Sequence, residues 1–370
     1  MELFPFTGFF PTPGSFDPST SFFESLREAF PTYFRKEIFF HRPSPGLFIY
    51  RIETPKRQHT GLLACTDILS YMDGEINRHE LTLSLREETQ VDLILKRGAS
   101  VKPVLLTYAN IQALDDILLA FTLENAPFQE LKISDEDQLH QFWEITDPAL
   151  IRLISDLFDE ANPRVVIADG HHRSEAQALL YQRFADQGQL DTPFRYLLSA
   201  YFPVSELDIW SFNRLVEIPQ GVTAGQLIEK LGLFFDLTPS PLEAPRKKGE
   251  IIIFGEGFTY LGRWREDLMS RVAHTREIVL DADLLNELIF TDLIGIRDVR
   301  NDARIQYVEG IKGIEGLKKG LEKRPGSIGF WLYPVDIDDL MTLSVIGESL
   351  PPKSTWFEPR MKNGMIVQVF

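Results

Sequence analysis

The segment Asp169–Arg173, Asp-Gly-His-His-Arg, places a carboxylate, two imidazoles and a guanidinium around one glycine. The apolar run Val165–Ala168 precedes it, and the polar, amphipathic segment Ser174–Gln187 follows it. This order predicts a buried strand, a sharp turn and a helix whose first turn carries His, His and Arg. A helix N-terminus has unpaired N–H groups and a partial positive charge, and Gly170 would let an anion approach the backbone closely. The segment therefore predicts an anion site, with phosphate as the first ligand to consider.

The same segment also fits a helix start that binds nothing. Asp169 would then cap the helix, Glu175 would lie in its first turn for electrostatic reasons, and Arg173 would pair with one of these carboxylates. His171 and His172 would be ordinary exposed side chains. Because consecutive helical residues point about 100° apart, the two imidazoles cannot both face one ligand squarely.

A second polar set lies in the loop 75–80, which contains Arg78, His79 and Glu80. A base that activates a hydroxyl for phosphoryl transfer is typically a carboxylate, so Glu80 is a candidate general base. Arg78 and His79 are candidate substrate ligands. A solvated, charged loop explains the same residues without any chemistry.

A third set is the run Pro351–Phe357, in which two prolines stiffen the approach to Lys353, Ser354 and Thr355. The ammonium group of Lys353 and the hydroxyls of Ser354 and Thr355 could bind an anion such as a carboxylate. A structured surface loop around a buried tryptophan fits the run equally well. Arg214, after a later strand, offers one more guanidinium for substrate binding.

Metal and nucleotide motifs of the common kinds are absent from the sequence. The chain has seven histidines and one cysteine, without the His-Glu-x-x-His or Cys-rich patterns of zinc sites. A zinc site from Asp169, His171 and the distant His79 is conceivable. A Mg²⁺ ion that arrives with a nucleotide is easier to accommodate, and Asp169 is its candidate ligand. Neither a P-loop, nor a Gly-x-Gly-x-x-Gly turn after a strand, nor a nucleophile elbow is present.

Composition restricts the class of partner. The formal net charge is −16 over 370 residues, which argues against nucleic acid as a partner but leaves room for a local basic pocket. Cys65 is the only cysteine, so an intrachain disulfide is excluded, and its apolar neighbours predict a buried strand thiol. The N-terminus lacks the features of a signal peptide, and we find no apolar stretch of transmembrane length. The expected location is the cytoplasm, without a membrane partner.

Hydrophobic patterning predicts an α/β first part and an α+β second part. Pro-rich residues 1–20 predict no regular structure. The lysines near residues 312–323 are most simply a solvated helix face. We expect one domain over residues 1–210, which holds the Asp-Gly-His-His-Arg site, and another over 211–370, whose end (348–362) could pack against that site. The predicted strands are Gly46–Ile52, Gly61–Leu69, Val104–Tyr108, Val165–Ala168, Tyr196–Phe202, Ile251–Phe254, Phe258–Arg263, Ile328–Tyr333 and Met365–Phe370. The predicted helices are Ser21–Phe30, Leu83–Lys96, Ile111–Phe121, Pro148–Glu160, Ser174–Gln187, Ala224–Leu231, Asp283–Ile289, Ile311–Glu322 and Asp336–Leu343.

These motifs together resemble the domain of unknown function family 1015. Members carry an Ala-Asp-Gly-His-His-Arg core, an upstream Arg-Pro-His-Glu or similar loop, an Asn-Arg-Val or His-Arg-Val element, and a Pro-Pro-Lys-Ser-Thr-aromatic-Phe run. The chain departs from this pattern at Asn77, where proline is common, and at Ser174, where an aromatic residue is common. The matching segments are Ala168–Arg173, Asn77–Glu80, Asn213–Leu215 and Pro351–Phe357.

The Asp-Gly-His-His-Arg core is also similar, over Val165–Gln187 and Glu80, to free serine kinases of the ParB/sulfiredoxin-like superfamily. The resemblance implies a mixed-sheet ParB/sulfiredoxin-like core in which the turn and the helix N-terminus bind nucleotide phosphates. It also implies that the upstream glutamate, here Glu80, acts as the base. Such an analogy of fold does not establish the reaction.

The leading hypothesis is a phosphotransferase that uses ATP or ADP with Mg²⁺ and a small hydroxylated metabolite, with serine and O-phosphoserine as the best guess. Asp169 would hold Mg²⁺ or act at the substrate hydroxyl, and Gly170 would admit the phosphates. His171, His172 and Arg173 would neutralise charge that develops on the transferred group. Lys353 would contact the substrate carboxylate.

Two alternatives use the same residues. A phosphatase or metal-dependent hydrolase would take water as the acceptor. A regulator would bind nucleotide without turnover. The sequence leaves the oligomeric state open.

Overall fold

The computed structural model describes residues 1–78 and 84–370, and these fall into two compact units. The first unit is Met1–Leu207 together with Pro359–Phe370, and the second is Asp208–Glu358. Eleven α-helices occur within the described residues: α1 (Thr20–Arg35), α2 (Ile68–Met72), α3 (Ser84–Arg97), α4 (Gln112–Glu124), α5 (Pro148–Ala161), α6 (His171–Ala185), α7 (Ala224–Leu231), α8 (Glu266–Ala273), α9 (Asp281–Leu284), α10 (Gly313–Lys323) and α11 (Ile337–Ile346). A π-helix, Leu285–Leu293, continues α9.

The β-strands of the described residues belong to two large sheets and two small ones. They are β1 (Leu3–Phe4), β2 (Phe9–Pro11), β3 (Phe39–His41), β4 (Leu47–Glu53), β5 (Gln58–Asp67), β6 (Ile76–Asn77), β7 (Ala99–Ser100), β8 (Val104–Tyr108), β9 (Gln129–Lys132), β10 (Leu139–Ile145), β11 (Val165–Asp169), β12 (Tyr196–Pro203), β13 (Asp208–Glu217), β14 (Phe235–Pro239), β15 (Glu250–Gly255), β16 (Phe258–Trp264), β17 (Ile305–Glu309), β18 (Ser327–Leu332), β19 (Thr355–Glu358) and β20 (Gln368–Val369).

The first unit is built on a mixed sheet in the order β6-β11-β8-β12-β5-β4-β10-β9, with β1 paired to β5. β6 runs parallel to β11 and β8 runs parallel to β12, whereas β8 and β11 are antiparallel. All five residues of β8 are buried, as expected for a strand that is covered on both faces. The prediction of a mixed α/β core is thus confirmed, and the turn after β11 lies near the sheet edge formed by β6.

The second unit contains an antiparallel sheet in the order β14-β16-β15-β18-β13-β17. β19 pairs with the first half of β13, and Asp208 is the register partner of Glu358. α7 has the bounds predicted from the sequence, and it begins at a capping box in which Thr223 and Gln226 satisfy each other's backbone N–H groups. The predicted hairpin around Gly-Glu-Gly is present as β15 and β16.

Some sequence predictions were wrong in detail. Residues 1–20 contain β1 and β2 rather than no regular structure, and Pro11 is tolerated because it ends β2 in a two-stranded sheet. β9 and β10 were not predicted. Cys65 is a buried strand residue, as predicted, and burial raises the pKa of its thiol. Every helix within residues 1–78 and 84–370 is too short or too polar to cross a membrane. The functional division into domains 1–210 and 211–370 stays a prediction.

Candidate functional site

The Asp-Gly-His-His-Arg segment forms the strand–turn–helix that its sequence predicts. β11 ends at Asp169, Gly170 is the N-cap residue with φ +119°, and α6 begins at His171. A positive φ of this size is strained for any residue with a Cβ atom, so glycine is required at the turn. The N-cap is therefore Gly170 and not Asp169, which corrects the alternative interpretation of the segment.

Arg173 occupies the position that we expected an anion to take. A Cβ atom built on Gly170 would lie 2.7 Å from one terminal nitrogen of the Arg173 guanidinium. The same terminal nitrogen donates to Oδ2 of Asp169 at 3.0 Å and to the carbonyl oxygen of Pro103 at 3.3 Å. The guanidinium is thus folded back over the turn and is only 26% exposed. The alternative interpretation expected this pairing of Arg173 with Asp169, and phosphate binding by Arg173 stays a prediction.

Asp169 is surrounded by cations. Nζ of Lys102 lies 3.3 Å from its Oδ2, on the oxygen that Arg173 also contacts. Burial would raise the pKa of this carboxyl group, but Lys102, Arg173 and Arg360 outweigh it and hold the pKa well below its ordinary value. A carboxylate whose charge is already compensated in this way is a poor Mg²⁺ ligand. Within the described residues, no group of three His, Cys, Asp or Glu side chains could hold a metal ion.

A cavity of about 270 Å³ lies beside this ion cluster in the first unit. Four basic side chains line it: Arg27 from α1, Arg97 from the last turn of α3, Lys102, and Arg173 from α6. None of the described lining residues is acidic, although the chain as a whole carries a net charge of −16. The apolar part of the lining comes from Ile94, Val101, Val104, Leu197 and Leu198.

The basic residues of the cavity raise one another's electrostatic free energy. Burial, together with the neighbouring charges of Arg27 and Arg173, lowers the pKa of Arg97 to about 10. Burial also lowers the pKa of Lys102; Asp169 opposes this change, whereas Arg173 and Arg360 add to it. An anion in the cavity would remove this repulsion, so the arrangement favours binding of a small, multiply charged anion.

The two histidines at the start of α6 differ in their surroundings. His171 is buried and His172 is half-buried, as the 100° step between consecutive helical residues requires. The prediction that only one of the two imidazoles faces a ligand is compatible with this difference in burial but is not tested by it.

Arg78, from the second polar set, contacts α6 directly. Its guanidinium donates to Oε2 of Glu175 at 2.9 Å and lies 4.2 Å from the ring centre of Tyr71. The Tyr71 hydroxyl donates to the same carboxylate oxygen at 2.5 Å. Burial and the Glu175 carboxylate together raise the pKa of Tyr71. Arg78 is therefore fixed beside the second turn of α6, while His79 and Glu80 lie outside the described residues.

Arg214, Lys353, Ser354 and Thr355 all belong to the second unit. Arg214 is fully buried in β13, and its guanidinium donates to the carbonyl oxygens of Phe212 and Lys353. Burial lowers its pKa to about 10. The Ser354 hydroxyl donates to the backbone of Pro351 at 2.7 Å. The structure thus brings two of these predicted residues together, Arg214 and Lys353, through a backbone contact.

Sequence analysis did not predict the roles of Arg27, Arg97, Lys102 and Arg360. Each is an isolated basic residue in its own segment, and only the fold gathers them around Asp169 and Arg173. The one local signal was Lys96-Arg97-Gly98, which was interpreted as a helix C-terminus and which also places a guanidinium at the cavity.

A family model described as "Protein of unknown function (DUF1015)" matches residues 12–283, well over half of the chain. The chain belongs to this family. The resemblance inferred from the motifs is therefore confirmed, and the Asp-Gly-His-His-Arg turn lies inside the matched part. The run Pro351–Phe357 lies beyond it.

Solved structures similar to this member of the family include a free serine kinase, a point mutant in complex with ADP. It shares 14% identity and a TM-score of 0.37, over 82% of this chain and 92% of that one. SbnI from Staphylococcus aureus, truncated at its C-terminus, shares 13% identity and a TM-score of 0.39, over 81% and 85% of the two chains. A conserved hypothetical protein from Pyrococcus furiosus shares 15% identity and a TM-score of 0.37, over 84% and 95%. Likenesses this distant support no inference about chemistry. The search of curated proteins found no significant match.

Proposed function

We propose that the first unit binds the phosphates of a small metabolite or nucleotide, and that the protein transfers a phosphoryl group between a nucleotide and a hydroxylated acceptor. Serine and O-phosphoserine are the expected acceptor and product. The observation that carries the proposal is the cavity lined by Arg27, Arg97, Lys102 and Arg173. An acidic protein that gathers four cations at one cavity, three of them half-buried, has a site suited to an anion.

The size and chemistry of the cavity agree with this ligand class. Its volume of about 270 Å³ lies just below the range of roughly 300–1,000 Å³ that is usual for sites of drug-sized ligands, so it fits a phosphorylated metabolite or the diphosphate part of a nucleotide. Guanidinium groups bind phosphate oxygens in pairs, and a lysine adds a point charge. On this proposal Arg173 exchanges part of its contact with Asp169 for a phosphate oxygen.

The catalytic roles rest on the sequence motifs. His171 and His172 would stabilise charge on the transferred group, and Glu80 would be the general base. The substrate carboxylate would be taken by Arg78, which belongs to the same unit as the cavity, or by its chain neighbour His79. A ParB/sulfiredoxin-like core, a cytoplasmic location and the absence of a nucleic-acid partner belong to the same proposal. We assign no protein ligand to Mg²⁺, because the described surroundings of Asp169 do not suit one.

Calorimetric titration with ADP, pyrophosphate and O-phosphoserine tests the binding step. We expect saturable binding that Lys102→Gln weakens by about 10- to 150-fold, the range for a hydrogen bond to a charged group. Lys132→Gln is the matched control, because this lysine is 71% exposed on β9 and is paired with the exposed Asp137. Equal affinities of both variants and the wild type would refute the proposed site.

Phosphorus NMR of the protein mixed with serine and ATP, or with O-phosphoserine and ADP, tests turnover. A phosphotransferase moves the phosphoryl group from the nucleotide to the serine hydroxyl, whose proton is released. Inorganic phosphate from O-phosphoserine without nucleotide would instead indicate a phosphatase. Tight nucleotide binding without any product over hours would indicate a regulator. Running each mixture with and without Mg²⁺ shows whether the metal is needed.

A further inference from the structure

A groove of about 450 Å³ in the second unit lies between strand β17 and helix α10. Four consecutive strand residues, Gln306–Glu309, form one wall. The other wall is a single face of the helix, because its lining residues recur at intervals of three and four: Lys312, Glu315, Gly316, Lys319, Gly320 and Lys323. This groove is separate from the cavity of the first unit.

β17 is an edge strand within the described residues, since its recorded pairing is with β13 alone. In such a strand, every second residue directs its N–H and C=O groups away from the neighbouring strand. These groups can pair with an added strand. β17 itself, Ile-Gln-Tyr-Val-Glu, contains no lysine or proline of the kind that commonly blocks edge pairing.

Glycine lets α10 pack closely against the sheet where it approaches β17. A Cβ atom on Gly316 would overlap with Cβ of Lys312, and one on Gly320 would overlap with Cδ1 of Leu215, with Val308 at 3.4 and 3.6 Å. The helix therefore adds no side chain to the groove at these two positions. The lysines that line the groove are exposed to solvent.

The lysines at the rim of the groove favour an acidic partner. Lys312 is paired with Glu309 at 2.5 Å, and Glu315 with Lys318 at 3.6 Å. Among the described residues, Lys319 and Lys323 form no ion pair. They lie one helical turn apart above the strand edge, in a chain of net charge −16. The sequence suggested a solvated lysine face, and the structure shows that these two lysines also line the groove beside β17.

We propose that this groove is a docking site for an extended acidic peptide segment of another protein, which adds a strand to β17. Backbone hydrogen bonds to the edge would supply affinity, as in other cases of strand addition. Lys319 and Lys323 would select Asp or Glu side chains at alternate positions of the peptide. The proposal does not depend on the phosphotransferase activity of the first unit.

Fluorescence anisotropy with a labelled peptide of alternating Val and Glu, ~8 residues long like an ordinary strand, tests the site. We expect saturable binding to the full chain that the double variant Lys319→Gln, Lys323→Gln weakens by at least about tenfold. Lys230→Gln is the control, because this exposed lysine of α7 lies in the same unit but does not line the groove, so affinity should stay unchanged. A peptide of alternating Val and Lys should not bind. All of these substitutions are at exposed positions, so folding is not at risk.

Hydrogen exchange distinguishes strand addition from adhesion of charges. Bound peptide should slow exchange of the amides in Ile305–Glu309, and raised salt should weaken binding without abolishing that protection. The proposal is overturned by lack of saturable binding below ~1 mM, by equal binding to the double variant, or by unchanged exchange in β17. A concentration-dependent dimer that protects the same amides would overturn it too, in favour of a second copy of this chain.

Discussion

At the scale of single residues, the site is organised by one carboxylate and the cations around it. Asp169 accepts from Arg173 and lies within 3.3 Å of Lys102, so it keeps two like charges close to one another beside the cavity. Without the carboxylate, the cations would repel one another at partly buried positions. On the proposed function, Asp169 is a positioning residue for the anion site, whereas the sequence analysis expected a metal ligand at this position.

Replacing Lys102 with Gln should make stability less dependent on pH in acid. The pKa of Asp169 is depressed in the folded state, so its ionisation contributes stability that is present above its unfolded value and is lost as pH falls through the folded value. Loss of Lys102 raises the folded pKa toward ordinary values. The difference in unfolding free energy between wild type and variant should thus be largest near neutral pH, and it should shrink as the pH falls from the ordinary pKa of an aspartate through the depressed folded value.

Urea unfolding of both proteins across this pH range measures the difference. Lys132→Gln, the exposed control, should show a small difference that does not change with pH. A gap for Lys102→Gln that stays constant or grows in acid would contradict the coupling between Lys102 and Asp169.

At the scale of elements, α6 is fixed by a hydrogen-bonded cluster as well as by its apolar face. Glu175 accepts from the buried Tyr71 hydroxyl of α2 and from Arg78, which follows β6. One carboxylate thus joins the helix to two segments that precede it by about a hundred positions in the chain. This cluster fixes the approach to the loop that carries the second polar set.

Glu175→Ala should lower the free energy of unfolding by about 1–3 kcal/mol, because it leaves the buried Tyr71 hydroxyl without its acceptor. Thermal or urea unfolding measures this loss. Glu88→Ala is the control: its partner Arg183 also lies on α6, but the pair is 46% and 55% exposed and should contribute at most ~0.5 kcal/mol. Adding Tyr71→Phe to Glu175→Ala should recover part of the loss. If the two alanine variants cost the same, the buried hydroxyl is not the cause.

The sequence predicted helices correctly where a capping residue lies at the helix N-terminus. The predicted helices Pro148–Glu160 and Ala224–Leu231 begin where α5 and α7 do, at the capping residues Asp147 and Thr223. The pairing of the strands was not predictable. The short apolar strand β8 would suit a parallel or an antiparallel neighbour, and in the structure it has one neighbour of each kind. β10 was missed because polar residues interrupt its alternation. The turn of the site was predictable from its glycine, whereas the cavity was not, since its cations come from distant segments.

At the scale of the whole molecule, the second unit is inserted into the first. The chain leaves the first unit after Leu207 and re-enters it at Pro359. The ends of the inserted unit, Asp208 and Glu358, are register partners in an antiparallel pair, so they lie only about 4.5–5.5 Å apart. A short loop could therefore replace the insertion.

Replacing residues 208–358 with a short Gly-Ser loop should leave a folded first unit that still binds pyrophosphate, because the cationic cavity lies wholly within that unit. The isolated segment Asp208–Glu358 should also unfold cooperatively, since it has its own core around Ile253, Phe290 and Phe330. Circular dichroism during heating and calorimetric titration measure both outcomes. Loss of pyrophosphate binding in a folded, loop-closed protein would show that the second unit contributes to the anion site.

The last segment of the first unit, Pro359–Phe370, affects the order in which the two units fold during synthesis. β20 completes a pair with β7, and Val367 exchanges backbone hydrogen bonds with Phe9, so the first unit cannot close until Pro359–Phe370 has been synthesised. The inserted unit is one contiguous segment, so it can fold before the first unit is complete. The order of folding during synthesis is therefore inverted relative to the usual N-terminal-first order. Before Pro359–Phe370 has been synthesised, the nascent chain exposes the apolar surface that Met365, Ile366 and Val367 later cover. Chaperones could bind this surface.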